Sequence, residues 1–141
     1  MASDLLFTAV NVLHRGVLKA TGGRVGGRLK RMPVVELTTT GRRSGEPRTV
    51  LLTSPLQRDG AYVVVASRGG DDRHPAWFLN LRDDPSVTVA ARGRSQPMRA
   101  RIPTGAERRA LWAEVTDRFP HYGRYQDRTD REIPLVVLEA P

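Results

Sequence analysis

Six runs rich in β-branched and aliphatic residues, most of them closed by a glycine- or proline-bearing turn, limit what this 141-residue chain can fold into. Val34–Thr40 is entered after Pro33 and ended by Gly41, and Thr49–Leu56 runs into Asp59-Gly60, a strong short hairpin signal. Tyr62–Ser67 is apolar enough to be buried on both faces before Gly69 and Gly70 open a loop. Val87–Ala91 and Gln96–Ile102 flank Arg92-Gly93-Arg94 as a further hairpin, and Ile133–Glu139 supplies a last strand. Strands this short and this regularly interrupted predict about six mainly antiparallel strands in a small closed or split barrel.

Three helical stretches are expected beside the strands. Leu5, Leu6, Ala9, Val10, Val12, Leu13 and Val17 recur with helical spacing behind Ser3 and Asp4, so residues 1–31 read as an amphipathic helix followed by a basic, glycine-rich strap. Pro75 suits the first turn of a short helix reaching about Leu81, before Asp84-Pro85. Thr104 with Glu107 makes a capping box for a helix that carries Ala110, Leu111, Val115 and Phe119 on one face and ends at Pro120. With no repeat and no dividing linker, residues 1–141 are expected to form a single domain.

Composition then narrows the chemistry. The chain has no cysteine, which excludes disulfides, zinc–thiolate sites, iron–sulfur clusters and a cysteine nucleophile, and fits a reducing cytoplasm. Its three histidines have no metal-ligand spacing, and no Gly-x-Ser-x-Gly elbow or carboxylate pair stands out. No stretch approaches the roughly 18 apolar residues of a membrane span, and the start lacks the marks of a secretory signal. An enzyme of this composition needs a cofactor for the hard chemistry.

The formal charge is +8, from 23 Lys+Arg of which only Lys19 and Lys30 are lysine, against 15 Asp+Glu. Such a balance suits nucleic acid, an anionic membrane or a phosphorylated small molecule, or reflects a composition bias toward arginine. Aromatics at 6% are sparse for a stacking nucleic-acid groove. Clustering is the better guide.

Three segments gather chemistry-bearing residues. Thr38-Thr39-Thr40-Gly41-Arg42-Arg43-Ser44-Gly45-Glu46-Pro47-Arg48 delivers a strand into a loop whose arginines can converge on an oxyanion. It lacks the spacing of a P-loop. Ala66-Ser67-Arg68-Gly69-Gly70 leads to His74-Pro75-Ala76-Trp77-Phe78-Leu79-Asn80-Leu81, where exposed amides precede a helix that sets Trp77 and Asn80 on one face. Phe119-Pro120-His121-Tyr122-Gly123-Arg124-Tyr125 places two tyrosines three apart, as if to roof a pocket.

Taken in order, these motifs resemble the deazaflavin (coenzyme F420)-dependent nitroreductase family of split β-barrel oxidoreductases, from about Pro33 to the C-terminus. The resemblance implies an α+β split β-barrel of the FMN-binding type. It implies F420 as cofactor, with Arg42, Arg43 and Arg48 on its phosphate and Ser67, Arg68, Gly69 and Gly70 at the deazaflavin, next to Ala66. Ala76, Trp77, Asn80 and Leu81 are implied as its border. Tyr122, Tyr125 or Ser67 would bond a substrate oxygen and supply a proton after hydride transfer to a quinone such as menaquinone, an enone or a nitro compound. Phe119 stands where a related nitroreductase carries tyrosine, Arg128 where an aromatic can occur, and the strand around Thr53 lacks a tyrosine found there; these departures weaken the expectation of nitroimidazole reduction. Localisation is expected to be cytoplasmic, with the N-terminal segment as a candidate peripheral contact on the inner face of the membrane. The alternatives are an FMN-binding split-barrel oxidoreductase and a non-enzymatic nucleotide-binding regulatory barrel, in which Val65 would stand where an acidic or amide residue is needed.

Overall fold

A computed structural model describes residues 28–29 and 32–141. The amphipathic helix expected near the N-terminus, and most of the basic strap, lie outside the described residues. The chain lays down β1 (Arg28–Leu29), β2 (Met32–Thr40), β3 (Pro47–Thr53), β4 (Leu56–Arg58) and β5 (Ala61–Val65). A single 3-10 turn at Arg68–Gly70 precedes α1 (Ala76–Asp83), the hairpin β6 (Ser86–Ala91) and β7 (Arg94–Arg101), α2 (Gly105–Arg118), α3 (His121–Asp127) and β8 (Leu135–Glu139).

All pairings are antiparallel. Hydrogen bonds run β1-β2-β6-β7-β8-β5-β4, with β3 on β2 in the register Thr38↔Thr49 and Val34↔Thr53. β3, which pairs only β2, and β4, which pairs only β5, are consecutive in the chain and joined only by Ser54 and Pro55, so the sheet curls back toward itself. The fully buried Ser54 fixes that seam: its amide donates to the Pro33 carbonyl at 2.9 Å, and its hydroxyl lies 2.8 Å from the carbonyls of both Leu56 and Val63. The single run expected over Thr49–Leu56 is therefore two strands. Proline cannot donate to a ladder, and the break at Pro55 lets β4 turn into a hairpin with β5. That hairpin and the one between β6 and β7 both use a left-handed pair, Asp59-Gly60 and Arg92-Gly93.

Period-two alternation divides β5 and β8 between two cores. Val64, Val136 and Leu138 pack with Val35, Leu37, Phe78, Leu81 and Val89 on the α1 side. Val63, Val65, Leu135 and Val137 pack with Met32, Leu56, Val115 and Tyr122 beneath α2 and α3. Burying each such side chain contributes about 1.5–3 kcal/mol before entropy is counted. These strands therefore form the rigid plate from which the Ser67–Gly70 turn projects.

Two local expectations change. The helix behind Thr104 forms, but no side-chain bond caps it, because Glu107 turns instead to Arg101 at 2.6 Å. The stretch after Pro120, in which the sequence shows no helical periodicity, is a helix. Arg101 also meets Glu139, and Arg108 holds Glu132 and the Ile133 carbonyl while lying over Trp112. Part of the arginine excess thus serves the fold.

Candidate active site

α1 links the two predicted binding segments. Eight residues at helical rise span about 12 Å. Its C-terminal half faces the Arg42 loop, and its N-terminal approach faces the Ser67–Gly70 turn.

At the first end, the chain leaves β2 through Gly41, where the loop closes on itself. Gly41 N–H donates to the Glu46 carbonyl and Gly45 N–H to the Gly41 carbonyl, both at 2.8 Å. A Cβ at Gly41 would fall 2.7 Å from Ser44 Oγ and 3.1 Å from the Glu46 carbonyl, so a larger residue there would have to displace Ser44. Arg42, Arg43 and Arg48 are all exposed. Arg42 is tied down by Asn80, whose Oδ1 accepts from its backbone N–H at 3.2 Å and from Nη1 at 2.9 Å. Asn80 is buried, and its Nδ2 donates to the equally buried Thr39 Oγ1 at 3.1 Å. The Asn80 side chain therefore works as a bracket between β2, α1 and the arginine loop, with none of its amide turned outward. Arg42, Arg43 and Arg82 surround a shallow depression of about 370 Å³ floored by Leu79 and edged by Asp83. Three guanidiniums against one carboxylate suit an anion there.

At the second end, Arg68, Gly69 and Gly70 all have positive φ, at 46°, 65° and 87°. Ala66 and Ser67 are buried, and Gly70 lies so close to α3 that a Cβ would fall 2.7 Å from the Tyr125 carbonyl. Gly69 is exposed, with open space where a Cβ would stand. Trp77 and Leu81 are buried in the α1-side core, and Ala76 is exposed.

The aromatic tail forms one cluster. Tyr122 and Tyr125 meet edge to face at 6.0 Å, with the His121 ring between them, 4.1 Å from Tyr122 and 5.4 Å from Tyr125. Tyr122 is 5% exposed, and its hydroxyl lies 3.4 Å from Thr53 Oγ1 and 3.5 Å from Met32 Sδ. Burial pushes that phenol above its ordinary range, so it stays protonated at neutral pH. Tyr125 is half-buried beside the turn, with the Arg128 guanidinium 5.6 Å from its ring centre and also donating to the Gly69 carbonyl. The tail and the turn are thus one surface, while the Arg42 loop lies at the far end of α1.

Two residues of this region were given no role by the sequence. Arg131 falls in the polar stretch before β8, yet its guanidinium reaches the backbone of the turn. His74 accepts from Arg131 Nη1 through Nδ1 at 3.1 Å; because arginine can only donate, the proton of the neutral ring sits on Nε2. Burial, then the charges of Arg131 and Arg82, hold His74 below its ordinary pKa. Periodicity cannot reveal such a pair, since the partners lie 57 residues apart.

Fold and site together define a small, mainly antiparallel β protein with a guanidinium cluster at one end of α1 and a backbone turn beside an aromatic cluster at the other. The sequence profile of the F420H(2)-dependent quinone reductases matches residues 12–140, and the chain belongs to that family. It is 39% identical over 134 residues to an F420H(2)-dependent quinone reductase of Mycobacterium tuberculosis, covering 89% of this chain and 87% of that protein. Among solved structures it is similar to an F420-H2 dependent reductase at 40% identity and a TM-score of 0.68, covering 76% of this chain and 94% of that one. A domain-swapped dimer is similar at 37% identity and a TM-score of 0.70, covering 91% and 96%. A heme binding protein of Mycobacterium smegmatis, at 23% identity and a TM-score of 0.55, shares the fold alone.

Proposed function

We propose that this chain is an F420-dependent oxidoreductase that reduces quinones. Family membership across residues 12–140 carries the reading, and the pairing of an arginine loop with a glycine turn along one helix supports it. The residues fit such a cofactor. Arg42, Arg43 and Arg48 offer exposed guanidiniums for a phosphate, and the backbone of Ser67, Arg68, Gly69 and Gly70 offers open space at Gly69 while Gly70 packs against α3. Ala66, Ala76, Trp77 and Leu81 border the site as the wall behind it, and Asn80 contributes by holding Arg42. When bound, the reduced deazaflavin supplies a hydride.

The protein's own part is to orient and to move a proton. Tyr125, half-buried beside the turn, is the hydroxyl best placed to bond a quinone oxygen; Tyr122 stays protonated in the wall behind it and Ser67 lies in the turn itself. His121, Tyr122 and Tyr125 also exclude water from that side. Enones and nitro compounds remain within this reading as further electrophiles. The split-barrel description fits a sheet in which β3, on β2, and β4, on β5, join through Ser54-Pro55 without pairing. A single domain over residues 1–141 and peripheral membrane contact through its N-terminal segment belong to the same proposal; among the described residues no helix is long and apolar enough to cross a membrane.

The test mixes purified protein, reduced F420 and a soluble naphthoquinone and follows the return of oxidised F420 absorbance. Quinone-dependent oxidation is expected, with Tyr125→Phe slowing turnover while sparing F420 affinity. Binding of FMN with no binding of F420, or binding of F420 with no oxidation by any quinone, enone or nitro compound, would remove the proposal.

A further inference from the structure

We propose that Arg131 is the positioning residue that holds Ser67–Gly70 in the shape that receives the deazaflavin ring; the inference rests on the assignment of that turn made above. A turn of three successive left-handed residues does not hold itself. Arg68, at φ 46°, is strained there, and the glycines on which the turn depends have many other conformations open to them. Its internal bonds, Gly70 N–H to the Ser67 carbonyl at 2.9 Å and Asp71 N–H to the Arg68 carbonyl at 3.1 Å, close a loop that still hinges at Ala66 and Asp71.

The Arg131 guanidinium spans both hinges. Nη2 donates to the carbonyls of Ala66 at 3.2 Å and Ser67 at 2.9 Å, Nε donates to the carbonyl of Asp71 at 2.8 Å, and Nη1 donates to His74 Nδ1. One planar fork thus fixes the chain before and after the strained residues, together with the approach to α1. A lysine ammonium, with its donors on one atom, cannot reach both sides. In a trans peptide the carbonyl and N–H point oppositely, so drawing the Ala66 and Ser67 carbonyls toward Arg131 turns the Ser67 and Arg68 amides to the other side. Arg131 is itself anchored: its N–H donates to Thr129 Oγ1 at 3.3 Å, and that hydroxyl donates to Asp72 Oδ1 at 2.8 Å.

The experiment uses Arg131→Gln and Arg131→Lys in the full chain, titrated with oxidised F420 and with its phosphate-free deazaflavin fragment by fluorescence. Arg131→Gln is expected to weaken both ligands by the same factor, roughly tenfold, and Arg131→Lys by less. Ring ¹⁵N shifts of His74 in the cofactor-free protein, those of the Nε2–H tautomer in the parent, are expected to move toward a tautomer mixture in Arg131→Gln. Unchanged affinity for both ligands in a folded variant overturns the inference. Should Arg131→Gln not fold, Arg131→Lys decides by the same titration. Failure of the parent to bind F420 removes instead the functional reading on which the inference rests, so the two failures are told apart.

Discussion

The Arg42–Arg48 loop and the Ser67–Gly70 turn lie at opposite ends of one helix, and they are built on opposite principles. The loop presents exposed guanidiniums, one of them steadied by Asn80, and the binding proposed for it would reside in side-chain charge. The turn presents backbone in a strained conformation, and its capacity resides in a shape imposed by Arg131, α3 and the buried ends of β5 and β8. Charge tolerates small displacements, because Coulomb attraction falls off slowly with distance. A hydrogen-bonding backbone surface does not. The loop is therefore expected to set affinity for the anionic part of a cofactor, and the turn to set registration of its ring.

The sharpest way to break this contrast is at Gly70. Gly70→Ala is expected to cost about 3 kcal/mol, since a left-handed alanine would also drive its methyl into the Tyr125 carbonyl. Gly69→Ala, with open space around it, is expected to cost about 1 kcal/mol. Thermal or urea unfolding of the two variants checks the difference, and equal costs would mean that α3 does not press on the turn.

Next in size is the loop. Arg42→Ala and Arg43→Ala are each expected to weaken F420 about tenfold while leaving the phosphate-free fragment unaffected. Arg131→Gln, by contrast, is expected to weaken both ligands equally. Raising the salt concentration is expected to weaken F420 binding in the parent and to narrow the gap to these variants. A loss that fell equally on the fragment would merge the two ends into one site.

The smallest effect is pH dependence confined to the turn. His74 has its pKa lowered by burial and by Arg131, so the unfolded chain takes up a proton before the folded one does. Its contribution to stability is complete above the ordinary histidine value of about 6.5 and is lost as the pH falls toward the lower folded value. Melting temperatures measured at about pH 7.5 and pH 5.5 should diverge less in His74→Gln than in the parent. An identical decline in both would take His74 out of the account.

Part of the candidate site was legible in the chain. Gly41-Arg42-Arg43 followed by Arg48 marks a candidate anion loop, because glycine spacing and guanidinium density are properties of adjacent residues. The hairpins at Asp59-Gly60 and Arg92-Gly93 and the two-faced burial of the strand at Tyr62 are local for the same reason. Asn80 shows where such reading stops. Its place on a helix face with Trp77 was visible, but not that its amide would be consumed by Thr39 and Arg42, about forty residues away. The capping box at Thr104 likewise matched its pattern yet lost Glu107 to Arg101, a partner that the β7–α2 corner brings near.

The sequence by itself determined most of the strands, the hairpin turns at Asp59-Gly60 and Arg92-Gly93, the arginine loop and the glycines at 69 and 70, because each depends on conformational preferences that neighbouring residues share, although the run over Thr49–Leu56 divides into two strands. Only the tertiary structure decided how the sheet curls at Ser54, that Tyr122 is buried while Tyr125 stands beside the turn, and that Arg131 and His74 meet across 57 residues. Those outcomes depend on hydrogen bonds and burial between segments remote in the chain. Such contacts exist only in the folded chain, where the pairing of β5 with β8 sets the Ser67–Gly70 turn beside the segment that carries Arg131.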